Sequence, residues 1–160
     1  MNNPPPFLIK VAVEAARRSP CAKSKRGVVI ADGELVLGIG CNAPPPGFVC
    51  EGSDACRAAC AKVAVHAEQS ALLRAVGEIQ HLERTSPRAV APLALHVKVV
   101  DNELVAGGGP SCVDCSKLLL AGGVMWVWLY EARPDGDAWV QYDAEEFHRL
   151  SLAAHRYPGG

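Results

Sequence analysis

The sequence lacks long apolar runs. Although 49% of its residues are hydrophobic, no run reaches the roughly 18 residues of a membrane-spanning helix. A secretory signal has a basic segment followed by an apolar one. The first six residues, MNNPPP, do not show this pattern. We therefore expect a cytoplasmic protein with no membrane partner.

The chain also lacks an excess of charge and is poor in aromatic residues. It has 16 basic and 17 acidic residues, for a net charge of −1, and only 6% of its residues are aromatic. Proteins that hold a phosphate backbone usually concentrate positive charge, and single-stranded nucleic acid is commonly bound by stacking on aromatic rings. These deficits argue against a polynucleotide partner and favour a small molecule.

Cysteine, by contrast, is plentiful, with seven residues in a chain of 160. The odd count argues against a closed disulfide framework, and a reducing compartment argues against disulfides in general. Metal binding is therefore the better interpretation. The length predicts one domain that spans residues 1–160.

Hydrophobic periodicity predicts alternating helices and strands. The first predicted helix spans 7–18, and the second begins between 55 and 63 and ends near 76. The third spans 112–121 with Ser111 as its N-cap, and the last spans 143–154. The predicted strands are 27–31, 34–41, 92–99 and 124–130. Asp32-Gly33 joins the first two strands as a hairpin. This order predicts an α/β fold with a mixed sheet between helical layers.

Two short segments carry the chemistry, His66-Ala67-Glu68 and Pro110-Ser111-Cys112-Val113-Asp114-Cys115. One histidine and two cysteines supply three zinc ligands, and a catalytic zinc has three protein ligands and one open position. We predict that His66, Cys112 and Cys115 bind this metal and that Glu68 transfers protons. Residues two apart lie about 200° apart around a helix, so we also predict a helix break near His66.

With these motifs, the chain resembles the cytidine deaminase-like superfamily, and most of all its deoxycytidylate (dCMP) deaminase branch. The matching segments are SPC at 19–21, KRGV at 25–28, GIGCN at 38–42, VHAEQSA at 65–71 and the Cys112/Cys115 helix. The resemblance implies a three-layer α/β/α fold with a five-stranded mixed sheet. It also implies zinc-dependent hydrolytic deamination of a small pyrimidine nucleotide, and a homo-oligomer. The chain departs from the family pattern at Ser111, which separates Pro110 from the first cysteine.

The resemblance also suggests further site residues. Asn42 matches the family asparagine that holds the substrate sugar, and Arg26, in a basic run with Lys23 and Lys25, is a candidate for a substrate phosphate. Some dCMP deaminase relatives carry a second, structural zinc, and four cysteines make a closed tetrahedral site. The candidate ligands are Cys21, Cys50, Cys56 and Cys60. The alternative is that these cysteines are reduced, partly buried thiols.

Two other functions stay open at this point. The protein could deaminate another aminated base, a nucleoside or tRNA adenosine with the same zinc chemistry. It could instead be an inactive zinc-bound scaffold, in which another cysteine closes the metal site. The intact Glu68 argues against the scaffold, because a structural zinc needs no acid beside its histidine ligand.

Overall fold

The structure, a computed structural model, describes residues 3–157 apart from the side chain of Ala61. The predicted domain of residues 1–160 therefore has its first two and last three residues outside the described part. The helices are α1 (Pro6–Arg17), α2 (Asp54–Val63), α3 (Ala67–Thr85), α4 (Val113–Ala121) and α5 (Ala144–Ala154). The strands are β1 (Lys25–Asp32), β2 (Leu35–Cys41), β3 (Leu93–Val100), β4 (Glu103–Val105), β5 (Trp126–Glu131) and β6 (Ala138–Asp143). None of the described helices is long and apolar enough to cross a membrane.

The strands form one mixed sheet in the order β2-β1-β3-β5-β6, and the short β4 pairs with the end of β3. The β3–β5 pair is parallel, and the other pairs are antiparallel. The predicted α/β class and mixed sheet are confirmed. The hairpin at Asp32-Gly33 is confirmed as well, because Gly33 has the positive φ of +64° that such a turn requires.

Helices cover both faces of the sheet, which confirms the predicted three layers. Side chains alternate between the two faces along each strand. The cluster on one face joins Leu8, Ala12 and Ala16 of α1 with Val29, Leu95 and Val97. The cluster on the other face joins Ala71, Leu72, Ile79, Leu119 and Phe147 of α3–α5 with Val28, Ile30 and Val127.

The predicted second helix is two helices with a break at His66. Ala64 ends α2 in an extended conformation, and His66 is the N-cap of α3 with φ −73° and ψ 156°. Val65, between them, exchanges backbone hydrogen bonds of 2.9 and 3.0 Å with Ala43. The predicted break is confirmed, but the predicted end near residue 76 is wrong. Helix α3 continues to Thr85, because Ile79 extends its buried stripe beyond Gly77.

Candidate active site

All the predicted site residues except Cys115 line a cavity of about 590 Å³. The cavity lies where α3 and α4 begin, against one end of β1 and β3. Its lining includes His66, Glu68 and Cys112 together with Asn42 and Arg26. Residues far apart in the sequence therefore meet at one place, with room for a small molecule.

His66 and Cys112 line this cavity, and the buried Cys115 lies next to them. Nδ1 of His66 lies 3.1 Å from Sγ of Cys115 and 3.3 Å from Sγ of Cys112. Among the described residues, this is the one group of three or more His, Cys, Asp or Glu whose ligand atoms all lie within 4.8 Å of one another. On a tetrahedral zinc, such ligand atoms lie roughly 3.5–3.8 Å apart. The donor set fits zinc after a small outward shift, with His66 binding through Nδ1.

Each ligand stands at the start of a helix. His66 is fixed as the N-cap of α3 by a hydrogen bond of 3.0 Å from its backbone N–H to Oε1 of Gln69. The N-cap of α4 is Cys112, whose sulfur accepts from the Cys115 backbone N–H at 3.4 Å. The prediction that Ser111 caps this helix is therefore wrong, because the sulfur of the next residue takes that position.

The thiols of the site are electrostatically unequal. A hydrogen bond from Cys115 and another from His66 lower the pKa of Cys112 to about 4 despite its burial. The hydrogen bond with Cys112, together with burial, raises the pKa of Cys115. The hydrogen bond with Cys112 also raises the pKa of His66. A thiolate is thus already favoured at Cys112, which suits a metal ligand because the thiolate is the binding form.

Glu68, in the first turn of α3, is buried beside this group, with 5% of its surface exposed. Ser111 Oγ donates a hydrogen bond to its Oε1, and Nδ1 of His96 lies 3.2 Å from the same oxygen. Burial by itself raises the pKa of Glu68, but the interaction with His96 and the hydrogen bond from Ser111 outweigh it and lower the pKa. Burial also lowers the pKa of His96. Glu68 is therefore held as a carboxylate that contacts both the Ser111 hydroxyl and the His96 imidazole.

Asn42 lines the cavity, but most of its carboxamide bonds within the protein. Its Oδ1 accepts from the Arg26 backbone N–H at 2.7 Å and from Ser19 Oγ at 2.8 Å, and its Nδ2 donates to Ser24 O at 2.8 Å. A carboxamide offers two N–H donors and one oxygen. Among these contacts, only its second N–H is left for a substrate.

The basic residues differ in what they face. Lys25 donates to the Arg17 carbonyl, and Lys23 lies 3.5 Å from Asp54. Lys23 also lines the cavity, as does Arg26 with Lys98, its direct partner across β1 and β3. Burial lowers the pKa of Arg26. No carboxylate within the described part of the chain forms an ion pair with Arg26 or Lys98.

The four other predicted metal ligands cluster on another wall of the same cavity: Cys21, Cys50, Cys56 and Cys60. Sγ of Cys56 lies 3.9 Å from Sγ of Cys50 and 3.8 Å from Sγ of Cys60. Two sulfurs on one tetrahedral zinc lie roughly 3.8 Å apart. The set is less compact than the first group, because no three of these four cysteines have sulfur atoms that all lie within 4.8 Å of one another.

Two cavity residues were missed from the sequence, His96 and Lys98. Both are polar positions on β3, and they share a strand face with Ala94. The alternation that identified the strand from Leu93, Leu95, Val97 and Val99 drew attention to the apolar face alone. The signal that could have identified them was the presence of a histidine and a lysine on the opposite face of a central strand.

No family model and no curated protein matches the sequence. Solved structures do match. The chain is similar to the cytidine deaminase from Burkholderia pseudomallei, with 17% identity over 88% of this chain and 93% of that chain, and a TM-score of 0.52. The dCMP deaminase from cyanophage S-TIM5 matches with 22% identity over 74% of this chain and 75% of that chain, and a TM-score of 0.47. From the first of these likenesses, the chain has the cytidine deaminase-like fold.

Proposed function

We propose that this protein is a zinc-dependent deaminase that hydrolyses the amino group of a small pyrimidine nucleotide, with dCMP as the model substrate. One observation carries the proposal: a His/Cys/Cys group with zinc-like spacing adjoins a buried carboxylate at an open cavity. The similarity in fold to a cytidine deaminase gives independent support. A structural zinc would need neither the cavity nor the carboxylate.

The proposed reaction replaces the exocyclic amine by a water oxygen and releases ammonia. Zinc would be held by His66, Cys112 and Cys115, and it would supply a Lewis acid that acidifies water. Two thiolates nearly cancel the charge of the metal, so a protein base has to take the proton. Glu68 accepts it from the attacking water and delivers it to the ring nitrogen. It then carries the second water proton to the departing amine, so that the C–N bond breaks as ammonia leaves.

The positive charges in the cavity support a substrate with a phosphate. Arg26 and Lys98 lie opposite each other on neighbouring strands, where like charges repel. Both line the cavity, and a bound anion would relieve that repulsion. The pair supplies enough charge for one phosphate group. A polynucleotide would need a longer basic track.

Ammonia release by the zinc-loaded protein tests this proposal. The substrates are dCMP, deoxycytidine, cytosine, single-stranded DNA and tRNA, and a chelator-treated sample is the control. We expect kcat/KM for dCMP to exceed that for deoxycytidine about 10–100-fold, because a hydrogen bond to a charged group contributes about 1.5–3 kcal/mol. Faster turnover of deoxycytidine would refute the phosphate part. Turnover of DNA or tRNA alone would refute the substrate class, and no ammonia from any substrate would refute the deaminase.

We further propose that the four-cysteine cluster holds a second, structural zinc. The two sulfur–sulfur separations at Cys56 support this, because they match a shared tetrahedral metal. The cluster lies where Cys21 and the loop that holds Cys50 meet α2. A metal there would join three segments that form one wall of the cavity.

A further inference from the structure

Two residues that are not among the proposed metal ligands hold the carboxylate of Glu68. The hydroxyl of Ser111 donates to Oε1, and Nδ1 of His96 lies 3.2 Å from that oxygen. An ionised carboxylate oxygen can accept two donors. Because both contacts fall on Oε1, they leave Oε2 as the oxygen that meets a water or a substrate.

His96 is a costly residue for its position in the fold. It lies on the central strand β3 between Leu95 and Val97, both almost fully buried. Its Nε2 is also buried and has no hydrogen-bond partner among the described residues. Such an unsatisfied group costs about 1–3 kcal/mol. An apolar residue at position 96, like its partner Val28 on β1, would not have this cost. The fold alone therefore does not account for a histidine at this position.

Ser111 also has a contact that its local structure does not require. Cys112, and not Ser111, caps helix α4. The serine hydroxyl instead donates to Glu68, which lies 43 positions earlier in the sequence. This bond ties the loop before two metal ligands to the acid of the other motif.

We propose that Ser111 and His96 are positioning residues that together fix Oε1 of Glu68, so that Oε2 is presented to the reacting water. The inference rests on the proposed deaminase function. A general base must lie within hydrogen-bond reach of the proton that it takes, and a misplacement of about 1 Å can cost about 100-fold in rate. Loss of either contact should therefore lower kcat while zinc binding and KM stay nearly unchanged.

Paired variants separate this role from a packing role. Leucine at position 96 has a similar size but no donor, whereas asparagine keeps an N–H close to the position of Nδ1. We expect His96→Leu to lower kcat about 10–100-fold and His96→Asn to keep most of it, with equal zinc content. The melting temperature of His96→Leu should change little, because the removal of an unsatisfied buried nitrogen opposes the lost contact with the buried carboxylate of Glu68. Ser111→Ala should lower kcat as His96→Leu does, and Ser111→Thr should keep most of kcat as His96→Asn does.

A spectroscopic measurement complements the kinetics. In ¹⁵N-histidine NMR spectra of the zinc-loaded protein, His96 should be the neutral tautomer with its proton on Nδ1, and Glu68→Gln should shift this signal. A neutral His96 with its only proton on Nε2 would overturn the inference, and so would a fully active His96→Leu or an equal loss in His96→Asn. Failure of the proposed function has a different signature, since the unaltered protein would then release no ammonia. That result would overturn this inference as well.

Discussion

The carboxamide of Asn42 joins three parts of the chain that form the cavity wall. It bonds to Ser19, Ser24 and the backbone of Arg26. We therefore expect Asn42→Ala to lower the free energy of unfolding by about 1–3 kcal/mol, because the Arg26 N–H and the Ser24 carbonyl lose their partner. Urea denaturation measures this change. Gln141→Ala, at an exposed position on β6, is the matched control and should change stability by less than about 0.5 kcal/mol.

The same variant tests the sugar-binding role that the family resemblance suggests. If Asn42 served only the substrate, Asn42→Ala would leave the urea midpoint unchanged and raise KM. If its second N–H also meets the substrate, KM and stability change together. An unchanged midpoint would contradict the structural role assigned here.

At the residue scale, the residues that the sequence proposed from spaced motifs lie together in the structure, and their roles stay a prediction. His66, Glu68, Cys112 and Cys115 could be identified because metal chemistry restricts both their types and their spacing. His96 could not be identified in this way. Its relation to Glu68 depends on β3 lying beside the start of α3, which is a property of the folded sheet.

At the scale of elements, the close packing of β2 on α3 positions His66. A Cβ atom at Gly40 would lie 2.4 Å from the Ala71 nitrogen and 2.7 Å from the Ala67 carbonyl oxygen. We expect Gly40→Ala to destabilise the protein by about 1–3 kcal/mol and to weaken zinc binding, because α3 has to move and His66 begins it. Thermal denaturation and competition with a zinc chelator measure the two effects.

Gly77 provides the matched control on the same helix. A Cβ atom there would meet no atom within 4 Å, and alanine favours a helix over glycine by about 0.5–1 kcal/mol. Gly77→Ala should therefore stabilise the protein and leave zinc affinity unchanged. Equal effects of the two substitutions would mean that contact between β2 and α3 does not position the metal site.

The sequence predicted elements with a strong period or a strong end signal. The β1–β2 hairpin has Asp-Gly at its turn, and the break at His66 followed from the two-residue spacing between His66 and Glu68. Strands β4 and β6 were missed. Strand β4 has only three residues, and β6 is at most half-buried on a sheet edge, so neither carries a clear hydrophobic pattern.

At the scale of the whole molecule, two cysteine-containing groups share one cavity. We expect metal analysis to find two zinc ions per chain and Cys56→Ser to keep one of them. That variant should unfold at a lower temperature, because a structural zinc contributes folding free energy directly. Cys41→Ala, in strand β2 and outside both groups, should keep both ions. One zinc in the unaltered protein, with five titratable thiols, would refute the second site.

The central claim is that Glu68 acts on protons beside a zinc that it does not bind. The most direct measurement is ammonia release and zinc content of Glu68→Ala on one preparation, with Glu78→Ala, at an exposed position of the same helix, as the control. We predict that both variants keep the zinc content of the unaltered protein. Glu68→Ala alone should lose about 10²–10⁴-fold in turnover. A Glu68→Ala protein that stays active, or that loses its catalytic zinc, would contradict the claim.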